Sequence, residues 1–137
     1  MDYRAILFHK QPTSARLRFM RFAHDSVCAF TPIPRLSQAH AGQQPNPVMH
    51  PTQVVQRLEQ ELGFEAGTLH AEEGYRYSVE VPDDQIQILL VGIDSTDPPF
   101  EQAARIGAKF IDLTQARGLP DVELELLRGA YELVLGG

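Results

Sequence analysis

The chain has little of what usually announces a chemistry. Of 137 residues only Cys28 is a cysteine, which excludes an internal disulfide and any multi-thiolate metal site. No apolar run approaches the roughly 20 residues that span a bilayer, so no membrane partner is expected. The opening Met1-Asp2-Tyr3-Arg4 places an acid where a secretory signal would place positive charge, and a cytoplasmic address is the expectation. No P-loop, G-x-G-x-x-G or G-x-S-x-G is present, and no internal repeat. The five histidines, His9, His24, His40, His50 and His70, show no H-x-H or H-x-x-x-H spacing. They are therefore read as scattered surface or loop residues rather than a metal cluster.

What is present suffices for one compact domain, since 43% of the residues are apolar. The formal charge of −6 is unevenly spread: residues 1–50 carry six Lys/Arg against two Asp/Glu, and residues 51–137 six against sixteen. Arg4, Lys10, Arg16, Arg18, Arg21 and Arg35 make the first part basic, which suits a small phosphate-bearing ligand, whereas the acidic remainder speaks against extended nucleic-acid binding. Solvated strand edges explain the same arginines without function.

Tyr3 to Lys10 and Ala15 to Phe22 read as a hairpin, with Leu17 and Phe19 on one face and Arg16 and Arg18 on the other, and Val27 to Phe30 as a third short strand. Five of the ten prolines fall between Thr31 and Pro51, so that stretch is expected to be one long loop without a regular element. From Pro51 onward Val54, Val55, Leu58 and Leu62 recur at helical spacing until Gly63, predicting an amphipathic helix with all four mostly buried. Thr68 to Val81 and Gln85 to Ile93 are read as two strands, the second continuous enough at Ile86, Ile88, Leu89, Leu90 and Val91 to lie at the centre of a sheet. A helical turn at Phe100 to Ile106, a strand at Lys109 to Leu113 and a last helix after Pro120 complete the order. That helix should bury Leu124, Leu127, Ala130, Tyr131 and Val134. The fold class is α+β.

Gly42, Leu58, Glu61, Gly63 and Phe64 fall, without a gap, on the spacing G, five residues, E, seven residues, R-E-U-x-E-E-x-G-U with U apolar. Together with the leading hairpin, the Pro-rich loop, the strands after the helix, the segment Ala108 to Ala116 and the terminal helix, this resembles the Nudix (MutT-like) family. The resemblance implies an αβα sandwich with a mixed sheet, a hairpin at the N-terminus and a helix at the C-terminus. It also implies Mg²⁺-dependent hydrolysis of nucleoside diphosphate derivatives. The box is degenerate, because Val48, Gln56, Arg57 and Gln60 stand where a Glu, an Arg and two further Glu belong.

The helix face that would hold metal reads Arg57, Gln60, Glu61. A hard divalent cation needs several oxygen donors on one face, and here one carboxylate remains, as a weak metal candidate. Arg57, four residues before Glu61, is placed to pair with it, and Glu59 between the matched positions is read as solvated. The first expectation is thus a binding or regulatory module for a nucleotide or other phosphate ligand, with no cofactor and with Arg18 and Arg35 as candidate binding residues. The alternative is a divergent pyrophosphohydrolase in which Glu61 with Asp94, Asp97 or Glu101 holds Mg²⁺. Turn chemistry around Ser95 to Pro99 accounts for the two aspartates without function. A third alternative is a structural domain that dimerises through Ile86 to Val91 and the last helix. Cys28 is read as a small core thiol.

Overall fold

The computed structural model describes residues 2–34, 37–41, 50–82 and 84–136. Arg35, Gly42 and Val48, named above, lie outside the described residues. The elements are β1 (Asp2–Lys10), β2 (Leu17–Arg21), β3 (Cys28–Ala29), β4 (Gln38–Ala41), α1 (Pro51–Leu62), β5 (Leu69–Ala71), β6 (Tyr77–Val81), β7 (Asp84–Ile93), α2 (Phe100–Arg105), β8 (Lys109–Ile111), a single 3₁₀ turn at Leu113–Gln115, and α3 (Asp121–Leu135).

The strands form one mixed sheet in the order β4-β6-β7-β1-β2-β8, with β3 paired to β1 and β5 to β7. β1 and β7 run parallel, with Asp2 opposite Ile86 and Phe8 opposite Gly92, and the other pairings are antiparallel. Alternation along these strands splits the core in two. Ile6, Phe8, Phe19, Ile86, Ile88 and Leu90 pack with Leu126, Leu127 and Ala130 of α3. Tyr3, Ala5, Leu7, Leu89, Val91 and Ile93 pack with Val54, Leu58 and Leu62 of α1 and Ala103 of α2. The sheet is therefore covered by α1 and α2 on one face and α3 on the other. No helix among the described residues is long and apolar enough to cross a membrane.

Four expectations change. Residues 31–50 do contain a strand: between Pro34 and Pro45 the proline-free Gln38–Ala41 reaches β6 and pairs as an edge. Thr68 to Val81 is not one strand. Glu72 to Tyr75 turns away from β7, after β5 has paired at Val91–Ile93 and before β6 pairs at Asp84–Ile88. The four α1 residues are mostly buried as expected, Val55 packing at the edge of the cluster beside the fully buried Val54 and Leu58. On α3 the inward stripe is Glu123, Leu126, Leu127 and Ala130, while Tyr131 is exposed; the buried bonds of Glu123 to Ser26 and Val27 lie on that inward side. Finally, β7 has strands on both sides and helices over both faces, so Ile86 to Val91 is interior and offers no surface to a second copy.

One row across the sheet is polar. The registers place His40, Ser78, Gln87 and Tyr3 opposite one another on β4, β6, β7 and β1, and directly opposed residues share a face. Tyr3 belongs to the α1 side, so the whole row does. Ser78 and Gln87 are buried, and among the described residues Ser78 Oγ and Gln87 Oε1 have no hydrogen-bond partner.

Candidate functional site

α1 is fixed at both ends by its own sequence. His50 caps it, with Nδ1 accepting from the Thr52 N–H at 3.2 Å, and Pro51 supplies a ready-made first-turn φ. Gly63 at φ 78° ends it in the left-handed conformation that a Cβ disfavours. With Val54, Leu58 and Leu62 turned to the sheet, Arg57 and Glu61 are left on one flank. Arg57 Nε donates to Glu61 Oε2 at 3.1 Å, and both side chains are about half exposed. The pair expected from their spacing is present.

Arg57 does more than pair with its neighbour on the helix. Its Nη1 donates to the Tyr3 hydroxyl at 2.6 Å, and its guanidinium carbon lies 4.6 Å from the Phe30 ring centroid and 5.9 Å from that of Tyr3. A cation held over two aromatic faces by two directional hydrogen bonds is oriented, not mobile. Among the described residues its Nη2 has no hydrogen-bond partner. Tyr3 and Phe30 went unread in the sequence, although Tyr3 precedes Ala5 and Leu7 at period two and so shares their face.

Glu59 is a correction. It is 6% exposed, and Oε2 accepts from the backbone N–H groups of Gly67 at 2.8 Å and Leu69 at 3.1 Å. It ties α1 to the start of β5 and is not solvated. Glu123 acts similarly across the other face, with Oε1 accepting from Ser26 Oγ at 2.8 Å and the Val27 N–H at 2.9 Å. His9 is a second correction. It is fully buried on β1, and its Nε2 donates to the Ser95 carbonyl at 2.8 Å, while the buried Nδ1 has no partner among the described residues. The alternation Ala5, Leu7, His9 was the available signal.

The remaining candidates are dispersed among separate partners. Asp94 Oδ1 lies 3.3 Å from His70 Nδ1, and His70 Nε2 lies 3.1 Å from Glu72 Oε1. Asp97 accepts from Gln11 Nε2 at 3.2 Å, and its carbonyl accepts from Ser95 Oγ at 2.7 Å. Glu101 is exposed in the first turn of α2. Among the described residues, no group of three or more His, Cys, Asp or Glu is placed to hold a metal ion. Arg18 donates to Gln11 Oε1 at 3.1 Å and lies 5.8 Å from the Phe100 ring.

Of the other basic residues, Arg4 is buried and donates to the Pro32 and Tyr3 carbonyls, Arg16 pairs with Asp112, and Arg21 with Asp25. Cys28 is buried between the sheet and α3, where desolvation and then the charge of Glu123 push its thiol far above the ordinary range. It is a core thiol and no nucleophile.

No protein-family model matches the chain, and no curated protein sequence matches it either. Function is therefore argued from the site itself.

Proposed function

We propose that this is a Nudix-like domain whose metal-binding face has been replaced by an oriented arginine. On this reading it works as a catalytically weak or inactive module that binds a nucleotide or another phosphate-bearing ligand. The observation that carries the reading is the Arg57 guanidinium over Phe30, bonded to Tyr3 and Glu61. An αβα layering with a helix at this position supports it.

The donor set does not fit Mg²⁺. That ion asks for several oxygen ligands in near-octahedral array, and among the described residues of this flank Glu61 is the one carboxylate on the α1 face, already paired with Arg57. A second cation placed there would meet Arg57 at close range, whereas a phosphate oxygen would meet a planar donor able to take it in a bidentate manner. Loss of the cations removes the largest electrostatic contribution available to phosphate cleavage, so binding without turnover follows from the same residues. The hydrolase alternative requires Glu61 to leave Arg57 and converge with Asp94, Asp97 or Glu101, two of which have other partners.

Isothermal calorimetry with ADP and with pyrophosphate, in metal-free buffer, tests the reading. The native chain should bind, and Arg57→Ala should weaken binding about tenfold or more, the worth of a lost charge-assisted hydrogen bond. Equal affinity in the two proteins would refute it.

A further inference from the structure

The Arg57 fork is not equally open on all sides, and the neighbour that narrows it carries the same sign of charge as the proposed ligand. A guanidinium presents its N–H donors in one rigid plane. Nη1 donates to the Tyr3 hydroxyl at 2.6 Å, and Nε donates its only hydrogen to Glu61 Oε2 at 3.1 Å. Nε–H and one Nη2–H point the same way along the side of the plane, the edge that an oxyanion grips with two oxygens. Glu61 stands at that edge as an anion supplied by the chain itself, and its i,i+4 spacing keeps it on the same flank of α1. Turning Arg57 to present another edge would give up the Tyr3 bond and the Phe30 ring at 4.6 Å.

We infer that Glu61 is the specificity-determining residue of the Arg57 site, an internal counter-anion that makes the site favour phosphate groups with a single charge over those with two. The inference rests on the reading of Arg57 as the phosphate-binding residue. A ligand oxygen at Nη2 is attracted by one guanidinium and repelled by the carboxylate beside it. Both effects scale with the charge of the ligand, so the pair as a whole attracts a dianion little more than a monoanion. What the ligand keeps in full is the directional bond to Nη2, which a singly charged oxygen makes as well as a doubly charged one. A phosphodiester meets these terms. A terminal phosphomonoester brings a second charge for which the half-exposed pair holds no further cation.

Calorimetry at about pH 8, where AMP is a dianion because the second phosphate pKa is about 6, compares AMP with its singly charged 5′-phosphate methyl ester. The proteins are the native chain, Glu61→Gln and Arg57→Ala. Glu61→Gln keeps the shape and an acceptor oxygen for Nε while removing the charge. It should bind AMP about fourfold tighter than the native chain does and the methyl ester about twofold tighter, with both gains shrinking as salt is added. The ratio of the two gains is the decisive readout, since a variant that merely reshaped the helix would move both ligands alike. Arg57→Ala should weaken both. Equal factors for the two ligands, or no gain in Glu61→Gln, while Arg57→Ala still weakens both, would overturn this inference and leave the Arg57 reading standing. Absence of binding in both the native chain and Glu61→Gln, or undiminished binding by Arg57→Ala, would overturn the Arg57 reading and this inference with it.

Discussion

Arg57 on the first helix donates to the hydroxyl of Tyr3 on the first strand at 2.6 Å, joining two residues far apart in the chain at the flank that the proposed reading equates with the carboxylate face of a Nudix enzyme. The contact gives that flank a fixed cation. It also makes the stability of the helix dock partly dependent on an aromatic and a charge that the apolar pattern alone does not require.

Truncation of Arg57 should therefore cost more than truncation of its ion-pair partner. An exposed i,i+4 pair is worth about 0.3 kcal/mol, so Glu61→Gln should be near neutral in urea denaturation. Arg57→Ala also loses the Tyr3 hydrogen bond and the Phe30 stacking and should cost about 1–2 kcal/mol. Equal effects of the two changes would mean that the aromatic platform contributes nothing.

Glu59→Ala should be among the most damaging substitutions on α1. It leaves the Gly67 and Leu69 N–H groups without their acceptor and should lower unfolding free energy by about 2–3 kcal/mol, while Glu59→Gln, which keeps one acceptor oxygen, should lose about 1 kcal/mol. A change within 0.5 kcal/mol for Glu59→Ala, roughly the size of an ordinary surface substitution, would restore the solvated reading.

Stability should fall with alkaline pH, and Cys28 sets the onset. Burial and then Glu123 raise its folded-state pKa, so the folded chain keeps a proton that the unfolded chain releases above about pH 8.5. The contribution is complete below that pH and declines as pH rises, with a limiting slope of about 1.4 kcal/mol per pH unit. Denaturation at several pH values between 8 and 10, roughly the window above the free thiol's pKa, should show the decline in the native chain and a flatter profile in Cys28→Ala. Identical profiles would remove Cys28 as the cause.

The parts of the fold that were legible share one property: their burial repeats at a fixed period. α1, β7 and the hairpin of β1 and β2 could be read for that reason. β4 could not, because proline density says where a strand is interrupted but not that four residues between prolines will find an edge. The break between β5 and β6 depends on the turn at Glu72 to Tyr75, and Tyr75 is drawn inward by a bond to α3 that no local pattern encodes. Arg57 with Glu61 was legible because both partners sit on one helix. Glu59 was not, since its partners, Gly67 and Leu69, lie beyond the helix end and meet it only through the return of the chain. Gln87 was equally hidden, because the central strand reads as apolar and its buried amide becomes conspicuous only when the register sets it beside Ser78.

The central claim is that a protein cation stands where a metal would otherwise be held. Calorimetric titration of the native chain with MgCl₂ and MnCl₂, beside Arg57→Glu combined with Gln60→Glu, tests it most directly. The account predicts no measurable Mg²⁺ or Mn²⁺ binding at the α1 flank of the native chain and the appearance of binding once carboxylates replace Arg57 and Gln60. Tight Mg²⁺ binding by the native chain that Glu61→Gln abolishes, accompanied by turnover of nucleoside diphosphate derivatives at about 1 s⁻¹ or faster, would contradict it.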